Sequence, residues 1–210
     1  MSSVCSQLNI LVKKLSSVPK YLSKEEIERF FSCITNHRDE ALFGLIYFYG
    51  LRVSEATLLR VEDIDLKRKM IFIQRVKNGI SGAKPLFRIT ERLLKIYLGR
   101  RLETGDGLFT GRQGNLSIQR IQQLFKEYAQ EAGLGSKYSV HSLRHSIATH
   151  LLEAGEGIEF VRDHLGHRNI KSTIIYAQIT DNGRKQAFKR IESKVARVGY
   201  GPQRAAEESK

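Results

Sequence analysis

The chain has 210 residues, and 35 lysines and arginines against 22 aspartates and glutamates give it a formal net charge of +13 at pH 7. Its 41% apolar content suffices for a buried core and excludes a disordered basic tail. The longest nearly uncharged apolar stretch, Ala41–Leu51, is about half of the ~20 residues that a bilayer-spanning helix needs. The first residues show no basic start followed by a long apolar run, so no secretory signal is expected. Two cysteines, Cys5 and Cys33, cannot build a disulfide framework or a cysteine zinc site. These features point to a cytoplasmic protein with a polyanionic partner, most simply nucleic acid.

The charge is uneven. Residues 61–103 hold 11 basic and 5 acidic groups, and residues 177–210 hold 8 and 4. Residues 141–176 balance at 4 and 4.

In chain order, Ser23-Lys24-Glu25-Glu26 reads as a capping box. Ile27, Phe30, Phe31 and Ile34 follow at helical spacing. Residues 39–50 predict a second, more uniformly apolar helix, and 54–60 a short third one before the turn-rich Glu62-Asp63-Ile64-Asp65. That Asp pair reads as turn and cap chemistry rather than a magnesium site. Met70–Val76 and Pro85–Ile89 predict a hairpin, with Lys77-Asn78-Gly79 opening its loop. Helices are expected after Thr90, after Ser117, over 143–154, over 158–165, and from an Asn169 cap through Tyr176. Phe188, Ile191, Val195 and Val198 form an apolar stripe in a basic C-terminal helix. The expected fold class is therefore mainly α with one small antiparallel β-sheet.

Five segments carry unusual polar residues in apolar surroundings: Arg52 in YGLRVSE, Lys77 in RVKNG, His141 and Arg144 in HSLRHSIATHLLEAG, His167 in LGHRN, and Tyr176 in STIIYA. An arginine directly after an apolar helix is costly unless it is paired or serves a site. Together, in this order and spacing, the segments resemble the tyrosine recombinase (phage integrase) family over about residues 18–180.

The resemblance implies a site-specific recombinase that cuts and rejoins duplex DNA through a covalent 3′-phosphotyrosine, with no metal, no ATP or other nucleotide cofactor, and no membrane. It makes Tyr176 the nucleophile, whose phenol has an unperturbed pKa of about 10 and needs help in losing its proton. It makes Arg52 and Arg144 the forked donors that hold the non-bridging oxygens. Lys77 becomes the acid for the departing 5′ oxygen, with Lys84 in the same loop as the rival. His141 becomes a general-base candidate, and His167 a hydrogen-bond donor to the phosphate. Glu55 is read as orienting Arg52. His145, His150 and His164 are read as structural, and a histidine zinc cluster is disfavoured by the lack of an HExxH pattern or a nearby cysteine.

Family members commonly carry an N-terminal DNA-clamping domain of about a hundred residues. Here residues 1–17 are expected to be only an extension, as in the short fimbrial phase-switch invertases, or the chain is a fragment of a longer integrase. The Met1 start favours a complete chain. The helix over 181–198 is expected either to pack in a neighbouring subunit or on its own domain, and 199–210 to be a disordered tail. Following the family, four copies would assemble on two DNA sites, with or without accessory proteins. A DNA-binding regulator without catalysis and a topoisomerase-like relaxing enzyme are the alternatives. Inversion, integration or excision, and dimer resolution all remain open.

Overall fold

The computed structural model describes residues 19–77, 79–102, 105–111 and 114–177, with 188 and 192. The expectations for 1–17, for the exchanged helix and for the tail lie outside the described residues, except that Phe188 is exposed.

Eight α-helices and two small sheets are found among the described residues. Lys24–Ser32 forms α1, and its capping box is complete: the Ser23 hydroxyl accepts from the Glu26 amide, and a Glu26 carboxylate oxygen accepts from the Ser23 amide at 2.8 Å. His37–Phe48 forms α2, capped by the Asn36 side chain, which accepts from the Arg38 and Asp39 amides. Ala41–Tyr47 are all buried, so this helix is the axis of the domain, packed against α4 and α6. Short α3 follows at Val53–Ala56.

Strands β1 (Ile64–Asp65), β2 (Met70–Ile73) and β3 (Gly82–Pro85) pair antiparallel in that order, with Ile64 opposite Ile71 and Met70 opposite Pro85. Next come α4 (Arg88–Arg100) and a two-stranded ladder, β4 (Thr110–Gly111) with β5 (Gly114–Asn115). The remaining helices are α5 (Ile118–Glu131), α6 (Val140–Glu153), α7 (Ile158–Leu165) and α8 (Lys171–Ala177). The fold class is mainly α with small antiparallel sheets. No helix among the described residues is long and apolar enough to cross a membrane.

Two boundaries differ from the sequence reading. The second hairpin strand lies at 82–85, not 85–89, and α4 begins before Thr90. The Leu86 amide closes the ladder on the Lys69 carbonyl. The Phe87 amide then donates to the Tyr49 hydroxyl, and the Phe87 ring packs on Phe48 and Tyr49. That packing pulls the chain out of the sheet and into α4. The short β1 and the β4–β5 ladder are additions that no hydrophobic run announced.

Two helices that end close together stop at glycines. α2 terminates at Gly50 (φ +55°) and α7 at Gly166 (φ +67°), both in the left-handed region that favours glycine. A Cβ on Gly50 would collide with Leu165 Cδ2. Gly50→Ala is therefore expected to lower the unfolding free energy by about 2–4 kcal/mol, from backbone strain plus overpacking. Equilibrium denaturation measures this; a loss under about 0.5 kcal/mol, the range of neutral surface changes, contradicts it.

Candidate active site

Arg52 lies just past the end of α2, where it caps α3. Its guanidinium reaches Glu55 at 2.6 Å, and its backbone amide donates to the other Glu55 oxygen at 2.9 Å. Glu55 is fully enclosed. It also accepts from Arg75 at 2.8 Å and from the Val76 amide at 3.3 Å, and it lies 3.7 Å from Arg144. One carboxylate thus faces three arginines. Burial alone would raise the Glu55 pKa. The Arg52 amide, the Arg75 charge and the two guanidinium hydrogen bonds reverse that and hold it below 4.5.

Arg144, on the first turns of α6, is 1% exposed. One guanidinium nitrogen donates to the Gly50 carbonyl. The other donates to the Leu165 carbonyl at 3.1 Å and to His167 Nε2 at 2.8 Å. Burial, then the charges of Arg52 and Arg75, push its pKa down to about 9, which still leaves it charged at neutral pH. Because His167 accepts at Nε2, its proton sits on Nδ1, which donates to Thr173 Oγ1 at 2.9 Å. Both ring nitrogens of His167 are therefore engaged within the chain. Burial and the nearby arginines hold the ring neutral, with a pKa of about 4.

Tyr176, on α8, is 2% exposed, and its hydroxyl lies 2.8 Å from His145 Nδ1. Burial raises the phenol pKa, against the lowering pull of Arg144 and Arg52. His141 sits one turn before His145 on α6; reduced hydration, then Arg144 and Arg52, lower its pKa. Lys77 is exposed on the hairpin turn, with φ +53°, and its charge acts on His141. It has no ion pair among the described residues. Lys84, the rival lysine, is tied to α7 by its 2.8 Å ion pair with Asp163.

Arg52, Glu55, Arg144, His167 and Tyr176 thus converge on one region, with His141 and Lys77 at its edge. Two further side chains belong to this region: Arg75, which escaped the sequence reading, and His145, which was read there as structural. Arg75 is buried, donating to the Tyr49 carbonyl at 2.9 Å, the His164 carbonyl at 2.8 Å and the Gly50 carbonyl at 3.3 Å, besides Glu55. The signal was alternation: Ile71, Ile73 and Arg75 share the inward face of β2 and its continuation. His145 is the second, four residues after His141 and so on the same helix face. His164 donates through Nε2 to the Phe48 carbonyl, and His150 pairs with the Tyr47 hydroxyl. No group of three or more His, Cys, Asp and Glu among the described residues is arranged to hold a metal. Guanidiniums held beside a neutral phenol suit an oxyanion, whose charge they complement.

Fold and site together define a mainly helical α+β domain in which an arginine pair faces a buried tyrosine. A model of the phage integrase family matches residues 20–183, and the chain belongs to that family. The tyrosine recombinase XerA of Pyrococcus horikoshii is 32% identical over 180 residues, covering 84% of this chain and 62% of its own length. The type 1 fimbriae regulatory protein FimB of Escherichia coli is 34% identical over 165 residues, covering 74% and 82%. A crystal structure of XerA recombinase matches with a TM-score of 0.73 at 27% identity, over 82% of this chain and 65% of that one. The site-specific recombinase XerH, bound to palindromic difH substrate in a post-cleavage complex, matches at 0.70 and 26%, over 84% and 54%. The chain spans about three fifths of the length of the XerA relatives.

The carboxylate at the centre predicts an acid-labile fold. A lowered Glu55 pKa contributes stability that is present above 4.5 and lost as pH falls through the lower folded-state value. Glu55→Gln is expected to cost about 3 kcal/mol at pH 7, because it leaves the buried guanidiniums without a counter-charge. The gap from wild type should shrink below pH 4.5. Denaturation curves at about pH 7 and about pH 3 measure both; a pH-independent difference contradicts the assignment.

Proposed function

We propose that this chain is a site-specific DNA recombinase, breaking and rejoining duplex DNA through a 3′-phosphotyrosine at Tyr176. The observation that carries the reading is the convergence of Arg52 and Arg144, held by Glu55 and helix-end carbonyls, on the buried Tyr176 phenol. Attack of the phenolic oxygen on phosphorus places negative charge on the non-bridging oxygens, where two guanidiniums fork onto them. The departing 5′ oxygen takes a proton from Lys77, whose freedom from ion pairing among the described residues favours it over Lys84. His141 stands beside the phenol's immediate neighbour, and His167 fixes Arg144. The phosphotyrosine keeps the energy of the broken bond for rejoining, so no ATP is consumed.

The XerH complex with difH DNA supports duplex DNA as the partner. Following the family, four copies act on two sites. The resemblance to the short fimbrial phase-switch invertases, beside the likeness to the type 1 fimbriae regulatory protein FimB, supports inversion as one of the possible outcomes.

A duplex bearing the repeats that flank the gene, nicked beside the scissile phosphate so that the cleaved end is lost, should trap a covalent protein–DNA adduct. Tyr176→Phe should abolish the adduct while still binding the duplex. Arg144→Lys should slow adduct formation by about 10²–10³-fold. If wild type forms no more adduct than Tyr176→Phe, the reading is wrong.

A further inference from the structure

Among the described residues, the side chain that hydrogen-bonds the Tyr176 hydroxyl is His145, which the sequence reading gave only a structural role. Its Nδ1 is 2.8 Å from the phenolic oxygen, and the two rings lie 5.5 Å apart at 49°. His141 meets the His145 ring edge-on at 4.5 Å, and no hydrogen bond joins His141 to Tyr176 among the described residues. The phenol, raised by burial, is protonated at neutral pH. The imidazole, lowered to about 4 by burial and by His141 and Arg144, is neutral. The hydroxyl has no other hydrogen-bond partner among the described residues, so it donates and Nδ1 accepts.

We propose that His145, rather than His141, receives the proton of Tyr176 as the phenolic oxygen attacks phosphorus. This rests on reading Tyr176 as the nucleophile. The balance is simple. The oxygen–phosphorus bond forms as the O–H bond breaks, and the proton passes to Nδ1, leaving His145 an imidazolium. The bond from phosphorus to the 5′ oxygen breaks, and that oxygen takes a proton from Lys77. In rejoining, the 5′ hydroxyl attacks as Lys77 takes back its proton, and His145 returns its proton to the departing tyrosine. Two effects drive the first transfer. The phosphodiester brings a negative charge that opposes the positive field depressing the imidazole. The phenolic oxygen, once bonded to phosphorus, no longer holds a proton. His141 stands one ring further out, against the imidazolium's edge.

Two substitutions separate proton transfer from packing. His145→Asn places an acceptor near the Nδ1 position but takes no proton at neutral pH; His145→Phe keeps the ring volume. Single-turnover cleavage is measured at saturating protein on the nicked duplex, alongside the Kd for DNA. A second substrate carries sulfur in place of the scissile 5′ oxygen, so its leaving group departs without a proton. Both variants should bind DNA like wild type and cleave about 100-fold more slowly. The sulfur substrate should restore Lys77→Ala but neither His145 variant. The imidazole nitrogen chemical shifts of the wild-type chain give a reading independent of any variant, with an unprotonated Nδ1 expected. Cleavage by His145→Asn within about threefold of wild type, rescue of it by sulfur, or a protonated Nδ1 overturns the proposal. A wild-type chain that forms no adduct overturns instead the recombinase reading.

Discussion

The structure depends on one buried carboxylate. Glu55 sits where three arginines from different parts of the chain meet: Arg52 from its own short helix, Arg75 from the end of a strand, and Arg144 from α6. Three guanidiniums packed this closely repel one another, and burial strips the water that would screen them. Only a carboxylate using both oxygens can make the arrangement stable. Two of its partners, Arg75 and Arg144, are distant in sequence, so forming the site and closing the domain are the same event.

The carboxylate is helped by two helix ends. A helix leaves its last carbonyls unpaired and carries partial negative charge there. Here those carbonyls are not given to water. Phe48, Tyr49 and Gly50 at the end of α2 accept from His164, Arg75 and Arg144, and His164 and Leu165 at the end of α7 accept from the same two arginines. Left-handed glycines turn the chain sharply after each end and leave the room that the arginines occupy. A Cβ on Gly166 would stand 2.8 Å from Arg75 Nε. The hairpin is locked on as well, through the Ile80 amide on the Gly166 carbonyl and the Lys84–Asp163 ion pair.

Much of this was legible in the sequence where a residue type announced its own cost. Arg52 after an apolar helix, Arg144 among helix-core residues, and the capping box at Ser23 each stood out against their surroundings. Helix 158–165 could be read to its last residue because Gly166 closes it. Arg75 was missed although strand alternation placed it on the inner face, since an arginine at a strand end reads by default as solvated. His145 was read as structural for a subtler reason. Its neighbour four residues earlier fits the family pattern, but which of two adjacent histidines meets the tyrosine depends on how α8 docks, and that is set by tertiary packing. The strand boundary at 82–85 was misplaced because Phe87 is apolar for the sake of Phe48 and Tyr49, not of the ladder.

Gly50 carries a consequence in the arithmetic of charge. Its carbonyl serves two arginines at once, holding them by dipole rather than by ion pairing. Had the second anchor been another carboxylate, the cluster of three guanidiniums would be almost neutralised. With one carboxylate and a set of carbonyls, two positive charges remain uncancelled. A phosphodiester carries one negative charge at rest and about two when phosphorus is five-coordinate. On the proposed reading, dipole anchoring thus leaves the arginine cluster with uncancelled positive charge, whose attraction grows as negative charge builds on the diester, so it favours the transition state over the resting diester.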